Sequence, residues 1–272
     1  MKKDSQLPAK VSVHPAGNDF FTTMPCLLPS DKERFGVKVV SRILGRTPSL
    51  SSDILLYNSA NGELLALINA DWITSMRTGA VATLAIKTLR SSSARKYSFI
   101  GLGNTARATL LCLLSSFPDE IFQVVLFRYK DQAEYFIDYF RTFGNVVFSV
   151  VDTMEELVED ADVLVSCITD ADGLLIGNDA LFKPGILLVP VHTRGFQNCD
   201  LFFDKVFADD TEHVRSFRYF NQFKRFNEIG DVLDGTCRGR ENDKERILSY
   251  NIGLGLHDVF FASNIYDMIT NR

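Results

Sequence analysis

Long apolar runs are missing from this chain, and no stretch approaches the roughly 20 residues that a membrane-spanning helix needs. The first ten residues are polar and lack the apolar core of a signal peptide. Both absences favour a protein that stays in the cytoplasm and has no membrane partner.

Runs of basic residues are missing as well. The 29 lysines and arginines are outnumbered by 34 aspartates and glutamates, which gives a formal net charge of -5. Proteins that bind nucleic acid usually cluster basic residues on one face. We therefore expect no nucleic-acid partner and favour a small molecule as the ligand.

Cysteine is scarce, and the five cysteines form no Cys-x-x-Cys pair. An odd number of widely separated cysteines disfavours a disulfide framework or a metal site. We expect reduced thiols that fill the core, and no bound metal. The five are Cys26, Cys112, Cys167, Cys199 and Cys237.

Short strand-like segments fill the part of the chain before residue 70. The pair Asn61-Gly62 separates two β-type runs, 53–57 and 63–68, and this pattern is typical of a hairpin. The run 74–89 that follows is rich in small residues and has helical periodicity, with Thr74 as its predicted N-cap. We expect this helix to pack closely against another segment of backbone.

Strand-like and helix-like segments alternate from Tyr97 onwards. Alternation of this kind predicts an α/β fold with a doubly wound parallel sheet. The predicted strands are 97–100, 123–127, 146–151, 163–166 and 185–189, and the predicted helices are 106–116, 132–143, 154–160 and 253–269.

A glycine-rich loop joins the first of these strands to the helix after it. Its sequence is Gly101-Leu102-Gly103-Asn104-Thr105-Ala106. Gly101 permits a tight turn, Gly103 lets a phosphate approach the backbone, and Ala106 lets the helix lie close to the strand. Backbone N–H groups and the helix dipole can then hold a pyrophosphate. We predict a nicotinamide dinucleotide at this loop; the alternative is an ordinary strand-to-helix turn.

The end of the second strand bears on the choice of coenzyme. Proteins selective for NAD usually place a carboxylate there to bind the ribose hydroxyls, and none occurs before Asp131. Arg128 and Lys130 can instead pair with a 2′-phosphate. This favours NADP, with NAD as the second choice. The alternative is that both side chains point into water.

Three motifs together resemble one known family. Arg77-Thr78-Gly79-Ala80 precedes the small-residue helix, the glycine-rich loop follows, and Asn251-Ile252-Gly253 lies near the end. In this order they resemble the ornithine cyclodeaminase/mu-crystallin family, from about Met24 to Asp258. The resemblance implies a homodimer of two-domain chains. Residues 1–92 and 248–272 form a smaller α+β substrate-binding and dimerisation domain, and residues 93–247 form a Rossmann-type dinucleotide-binding domain.

The resemblance also assigns two cations to a substrate carboxylate. Lys38 lies in a run that looks like the family's lysine strand, and Arg77 matches its carboxylate-binding arginine. Two fixed cations, one of them a bidentate guanidinium, suit an α-carboxylate. The alternatives are a solvated strand lysine and a surface arginine at the start of a helix.

The chain departs from the family pattern in the loop after the predicted strand 185–189. Arg194 stands where the family has a catalytic aspartate, so His192 becomes the candidate acid or base. Arg194 adds a third cation, for a second carboxylate of the substrate or for the coenzyme phosphates. A structural His192 is the alternative.

Two further positions are assigned to the coenzyme by the same resemblance. Thr169 matches a threonine beside the adenosine or ribose, and Asn251 stands where a serine near the nicotinamide is usual. The alternatives are a loop position and a helix cap. Compared with the family, the chain is expected to start after an amino-terminal helix and strand, with only Lys10 and His14 near the place of an expected arginine.

The resulting hypothesis is an NAD(P)H-dependent oxidoreductase that acts on an amino-acid-derived imine or amine, as a ketimine reductase or an amino-acid or opine-type dehydrogenase does. Lys38, Arg77 and Arg194 would hold carboxylates and His192 would move the proton. One alternative is an ornithine cyclodeaminase, a lyase that forms proline and ammonia. The other is a catalytically inactive NADP-binding protein.

Overall fold

The structure is a computed structural model that describes residues 2–168, 175–192 and 199–270. The chain forms two compact units. One unit combines the amino-terminal residues through Arg77 with the residues from Gly253 onwards, and the other is Thr78–Ile252.

The described residues contain thirteen strands and seven α-helices. The strands are β1 (Val11–Val13), β2 (Phe20–Leu27), β3 (Arg34–Arg42), β4 (Leu50–Asn58), β5 (Leu64–Asn69), β6 (Lys96–Ile100), β7 (Phe122–Phe127), β8 (Val146–Val151), β9 (Val163–Ser166), β10 (Leu187–Pro190), β11 (Lys205–Ala208), β12 (Phe226–Glu228) and β13 (Ile247–Tyr250). The helices are α1 (Asp71–Leu89), α2 (Asn104–Ser116), α3 (Gln132–Tyr139), α4 (Met154–Val158), α5 (Thr211–Val214), α6 (Ile229–Leu233) and α7 (Gly255–Thr270).

The first unit is an antiparallel sheet covered on one face by the last helix. Its strand order is β1-β2-β3-β4-β5, and α7 contacts β2, β3 and β4. Cys26, Leu56 and Val259 are fully buried in the layer between sheet and helix. This confirms the predicted hairpin, here β4 and β5, and the predicted α+β fold of a smaller unit that includes the last helix. The domain bounds 1–92 and 248–272 stay a prediction.

The second unit is built on a parallel sheet of eight strands. Their order is β12-β11-β13-β10-β9-β6-β7-β8, and every neighbouring pair is parallel. This confirms the predicted doubly wound fold. The chain moves outward from β6 in one direction and returns to β9 on its other side, so the order reverses between β6 and β9. Ligands of such sheets bind at this reversal, outside the carboxyl ends of the strands.

Helix α1 packs against α2 as closely as two backbones allow. A Cβ atom at Gly79 would lie 2.5 Å from the carbonyl carbon of Ala108. The expected close approach is therefore confirmed. The predicted N-cap was wrong, because α1 begins at Asp71 and Thr74 lies inside it. Thr74 Oγ1 instead lies 2.8 Å from the hydroxyl oxygen of Ser52 on β4.

Four further predicted helices end or begin elsewhere, among them α2, which begins at Asn104 instead of residue 106. The predicted helix 132–143 ends at Tyr139, since Phe140 turns into the core and its N–H donates to the carbonyls of Ile137 and Asp138. Helix α4 ends at Val158. Helix α7 begins two residues later than predicted because Gly253 has a φ of +91°. None of the helices in the described part of the chain is both long and apolar enough to cross a lipid bilayer.

Candidate functional site

The glycine-rich loop has the backbone geometry that only glycine allows. Gly101 follows β6 with a φ of +80°, and a Cβ atom there would lie 2.6 Å from the carbonyl group of Cys167. Cys167 follows β9, whose last residue Ser166 pairs with Ile100. The loop therefore turns at the point where the strand order of the parallel sheet reverses.

The start of α2 is open on the side of the loop. Gly103 precedes the first residue of α2, and no atom of residues 2–168, 175–192 or 199–270 outside its chain neighbours lies within 4 Å of the place of a Cβ atom. Asn104 is exposed and Thr105 half-buried, whereas Ala106 is fully buried in the core beneath the helix. Free space above Gly103 and the first N–H groups of α2 fit a diphosphate.

Arg128 at the end of β7 is paired with two carboxylates. Its Nε lies 2.8 Å from Asp152 Oδ1 and its Nη1 lies 2.8 Å from Glu134 Oε1. These side chains are largely exposed, and the Asp152 partner raises the pKa of the guanidinium. The cation predicted for a 2′-phosphate is thus already neutralised by neighbouring carboxylates.

His192 lies just beyond β10 and contacts the end of β9. Its Nε2 lies 3.2 Å from Ser166 Oγ, within hydrogen-bond distance. Ser166 is fully buried. The sequence singled out His192 but missed Ser166. The only sequence signal for Ser166 was its place at the end of a predicted strand. The next predicted strand along the chain comes shortly before His192.

Asn251 follows β13 at the same edge of the sheet and is completely buried. Its amide nitrogen donates to the carbonyl oxygen of Ser249 at 2.7 Å. Its Oδ1 has no hydrogen-bond partner among the described residues. The alternative of a helix cap was wrong, because α7 begins four residues later. A buried amide oxygen without a partner fits a ligand that donates a hydrogen bond.

In the other unit, two cations meet one carboxylate. Lys38 Nζ lies 2.7 Å from Asp258 Oδ2, and Arg77 Nε lies 2.8 Å from Asp258 Oδ1. Relative exposures are 1% for Lys38, 4% for Arg77 and 0% for Asp258. The alternatives of a solvated lysine and a surface arginine are therefore excluded.

Burial and charge act together on these three groups. Burial and the charge of Arg77 lower the pKa of Lys38 to about 7, although Asp258 acts in the opposite direction. Burial alone would raise the pKa of Asp258, but the charges of Arg77 and Lys38 hold it below its ordinary value. Asp258 is therefore ionised, and Lys38 changes its charge near pH 7.

The guanidinium of Arg77 keeps one nitrogen without a partner. Its Nη1 is buried and has no hydrogen-bond partner in the described part of the chain. A side chain at Gly253 would collide with that nitrogen, so glycine makes room for it. An unpartnered buried guanidinium N–H beside an ammonium group fits a ligand carboxylate.

The sequence missed Asp258 as a member of this site. The available signal was an acidic residue in the first turn of the final helix, only five residues after Gly253. Two other predicted residues, Thr169 and Arg194, lie outside the described residues.

A sequence model described as the Ornithine cyclodeaminase/mu-crystallin family matches residues 2–272 of the chain. One curated relative is a Delta(1)-pyrroline-2-carboxylate reductase from Bacillus cereus, 27% identical over 256 residues. That match covers 86% of this chain and 77% of the relative.

Two solved structures have the same fold. One is Thermococcus litoralis Delta(1)-pyrroline-2-carboxylate reductase in complex with NADH and L-proline, with a TM-score of 0.86 and 22% identity over 99% of this chain and 89% of that chain. The other is an archaeal alanine dehydrogenase, a dimer with bound NAD, with a TM-score of 0.84 and 23% identity over 100% of this chain and 88% of that chain.

Proposed function

Since the chain belongs to the ornithine cyclodeaminase/mu-crystallin family, we propose that it is an NAD(P)H-dependent oxidoreductase that reduces an imine bearing a carboxylate. The curated relative and one structural neighbour are reductases of pyrroline-2-carboxylate, a cyclic imine of this kind. The neighbour solved with NADH supports the coenzyme, and the loop at Gly101 and Gly103 has the space and backbone geometry for it.

The observation that carries the proposal is the buried pair of cations. Lys38 and Arg77 are almost inaccessible to water, and among the described residues they share a single carboxylate and Arg77 Nη1 has no hydrogen-bond partner. Cations buried in this way need a further anion. A substrate carboxylate that accepts from Lys38 Nζ and Arg77 Nη1 supplies it.

The proposed roles rest on the chemistry of each residue within its own unit. A bound nicotinamide coenzyme supplies the hydride for the imine carbon. Lys38 and Arg77 hold the carboxylate and so orient the imine. His192 delivers the proton to the imine nitrogen, and Ser166 orients its ring through the contact with Nε2.

The test is oxidation of NADH and NADPH by purified protein, followed at 340 nm with cyclic imine carboxylates and with α-keto acids plus amines. Turnover that Arg77→Ala reduces by about 100-fold or more is expected. Coenzyme binding without turnover across the panel would contradict the proposal and favour a binding protein. Proline and ammonia formed from ornithine without net coenzyme change would favour a cyclodeaminase.

Coenzyme preference can be tested at Arg128. We expect Asp152→Asn to free part of this guanidinium for a 2′-phosphate and so to tighten NADPH binding relative to NADH by about threefold to tenfold. Asp138→Asn is the matched control, because it breaks another exposed ion pair of the same unit, with Arg141. Calorimetry measures both dissociation constants. An unchanged ratio would show that Arg128 does not face the coenzyme.

A further inference from the structure

Asp258 occupies a place that favours a negative charge in spite of its burial. It lies in the first turn of α7, three residues after the helix begins at Gly255. The amino end of a helix carries a partial positive charge that stabilises a nearby carboxylate. Together with the two cations, this environment keeps Asp258 ionised inside the unit.

The charges of the site do not cancel without a ligand. Lys38 and Arg77 contribute two positive charges when both are protonated, and Asp258 contributes one negative charge. One positive charge is left over. A single substrate carboxylate brings the sum to zero, and this is the arrangement in which burial costs least.

Asp258 also sets the direction of the Arg77 guanidinium. Its Oδ1 accepts a hydrogen bond from Arg77 Nε at 2.8 Å. Because the guanidinium is rigid, a bond at Nε determines where both Nη nitrogens lie. Nη1 is then held beside Gly253, and no described residue is its hydrogen-bond partner.

Resting on the function proposed above, we propose that Asp258 is a positioning residue for the reaction. It aims Arg77 at the substrate carboxylate, favours the protonated form of Lys38, and lowers the net charge of the site so that one carboxylate balances it. It does not itself contact the reacting atoms.

Four groups act on the charge of Lys38, directly or through Asp258. Arg77 and Lys10 lower the pKa of Lys38, and Asp258 raises it. Cys26 on β2 lies near Asp258, and burial raises the pKa of its thiol to about 12, so this thiol stays neutral. Of these groups only Asp258 favours the protonated lysine. Its removal therefore leaves Lys38 uncharged at a lower pH.

The experiment compares Asp258→Asn with Asp258→Glu and with Asp267→Asn. Asp267 is the matched control, because it lies on the same helix and pairs with Arg34 outside the site. In Asp258→Asn we expect KM for the imine to rise at least about tenfold with kcat changed less than about threefold. The fall of kcat/KM with rising pH should move to lower pH. Asp258→Glu should show smaller changes in KM and in the pH of the fall, and Asp267→Asn should show neither change.

A purely structural role for Asp258 would overturn the proposal, and it has a different signature. Asp258→Asn would then fold and lower kcat by the same factor at every pH, with KM and the pH of the fall unchanged.

Two further measurements keep the outcome decisive. Calorimetry with pyrrole-2-carboxylate, a flat carboxylate without an imine to reduce, needs no turnover. If this probe binds the unmodified protein and Asp258→Asn loses it while no imine is reduced, the role of Asp258 stands and the proposed function fails.

If Asp258→Asn does not fold, the variant Lys38→Met is compared with the double variant Lys38→Met/Asp258→Asn. The double variant has no buried ammonium group that would lose its carboxylate partner. The double variant should bind the probe at least about tenfold more weakly, because Arg77 is no longer aimed. Equal binding would overturn the proposal.

Discussion

Arg77 is almost completely buried, and its Nη1 fits only because residue 253 has no side chain. Lys38 owes its properties to burial in the same way. Burial lowers its pKa to about 7, so its charge changes within the physiological range. At the scale of single residues, the chemistry of this chain thus depends on how little solvent reaches two cations.

Gly253→Ala tests the space for Arg77. We expect the methyl group to displace the guanidinium and to raise KM for a carboxylate substrate by about tenfold or more. Gly62→Ala is the matched control, because Gly62 also has a positive φ, +79°, but no described neighbour within 4 Å of a Cβ atom. The steric explanation fails if steady-state kinetics give both variants the same KM.

The charge of Lys38 predicts a pH dependence. Below about pH 7 the ammonium group is protonated and attracts a carboxylate, and above it the amine is neutral. We therefore expect kcat/KM of the free enzyme to fall as the pH rises through about 7. Lys38→Arg should abolish this fall, because a guanidinium stays charged. An unaltered profile in Lys38→Arg would assign the titration to another group.

At the scale of elements, the parallel sheet depends on close backbone contacts at its first crossover. Gly101 lies against the residues after β9, and Gly79 of α1 lies against α2. Both contacts bring the amino end of α2 to the point where the strand order reverses. The geometry of the predicted phosphate loop is therefore a consequence of packing as well as of the loop sequence.

Gly79→Ala tests the contact of α1 with α2. A Cβ atom there would overlap the backbone of Ala108 and Thr109, and we expect a loss of about 1–3 kcal/mol in the free energy of unfolding. Gly230→Ala in α6 meets nothing within 4 Å and should change stability by less than about 1 kcal/mol. Urea denaturation measures both. Equal changes in the free energy of unfolding for the two variants would mean that α1 can move away from α2 at little cost in stability.

At the scale of the whole molecule, the first unit leaves several large apolar side chains in water. Val11, Val13, Leu64, Leu67 and Trp72 are each more than half exposed. The homodimer expected from the family resemblance stays a prediction, and a second copy of the chain against the amino-terminal sheet would cover these side chains.

Light scattering after gel filtration should then give a mass near twice the 30.6 kDa of one chain. Leu67→Glu on β5 should shift the protein towards the monomer, because a charge at an apolar interface is costly. Val147→Glu, an equally exposed strand position of the other unit, should leave the mass unchanged. A monomeric unmodified protein would contradict the prediction.

Local patterns in the sequence were sufficient for the parallel sheet, the hairpin and the glycine-rich loop. Periodicity and turn residues act over a few positions, so they can be read without tertiary contacts. The same patterns were insufficient for Lys38. On β3 the alternation of valines with Lys38 suggests a lysine that faces water, whereas the structure buries it on the row of Gly36 and Val40.

The sequence by itself determined the alternation of strands and helices from β6 to β10, the hairpin and the glycine loop, and its family resemblance singled out the two cations. Only the tertiary structure decided that Lys38 points inward, that Asp258 stands between it and Arg77, and that Ser166 contacts His192. Asp258 is 220 residues from Lys38 along the chain. The field of a charge depends on distance and solvent in three dimensions, and neither is encoded in local pattern.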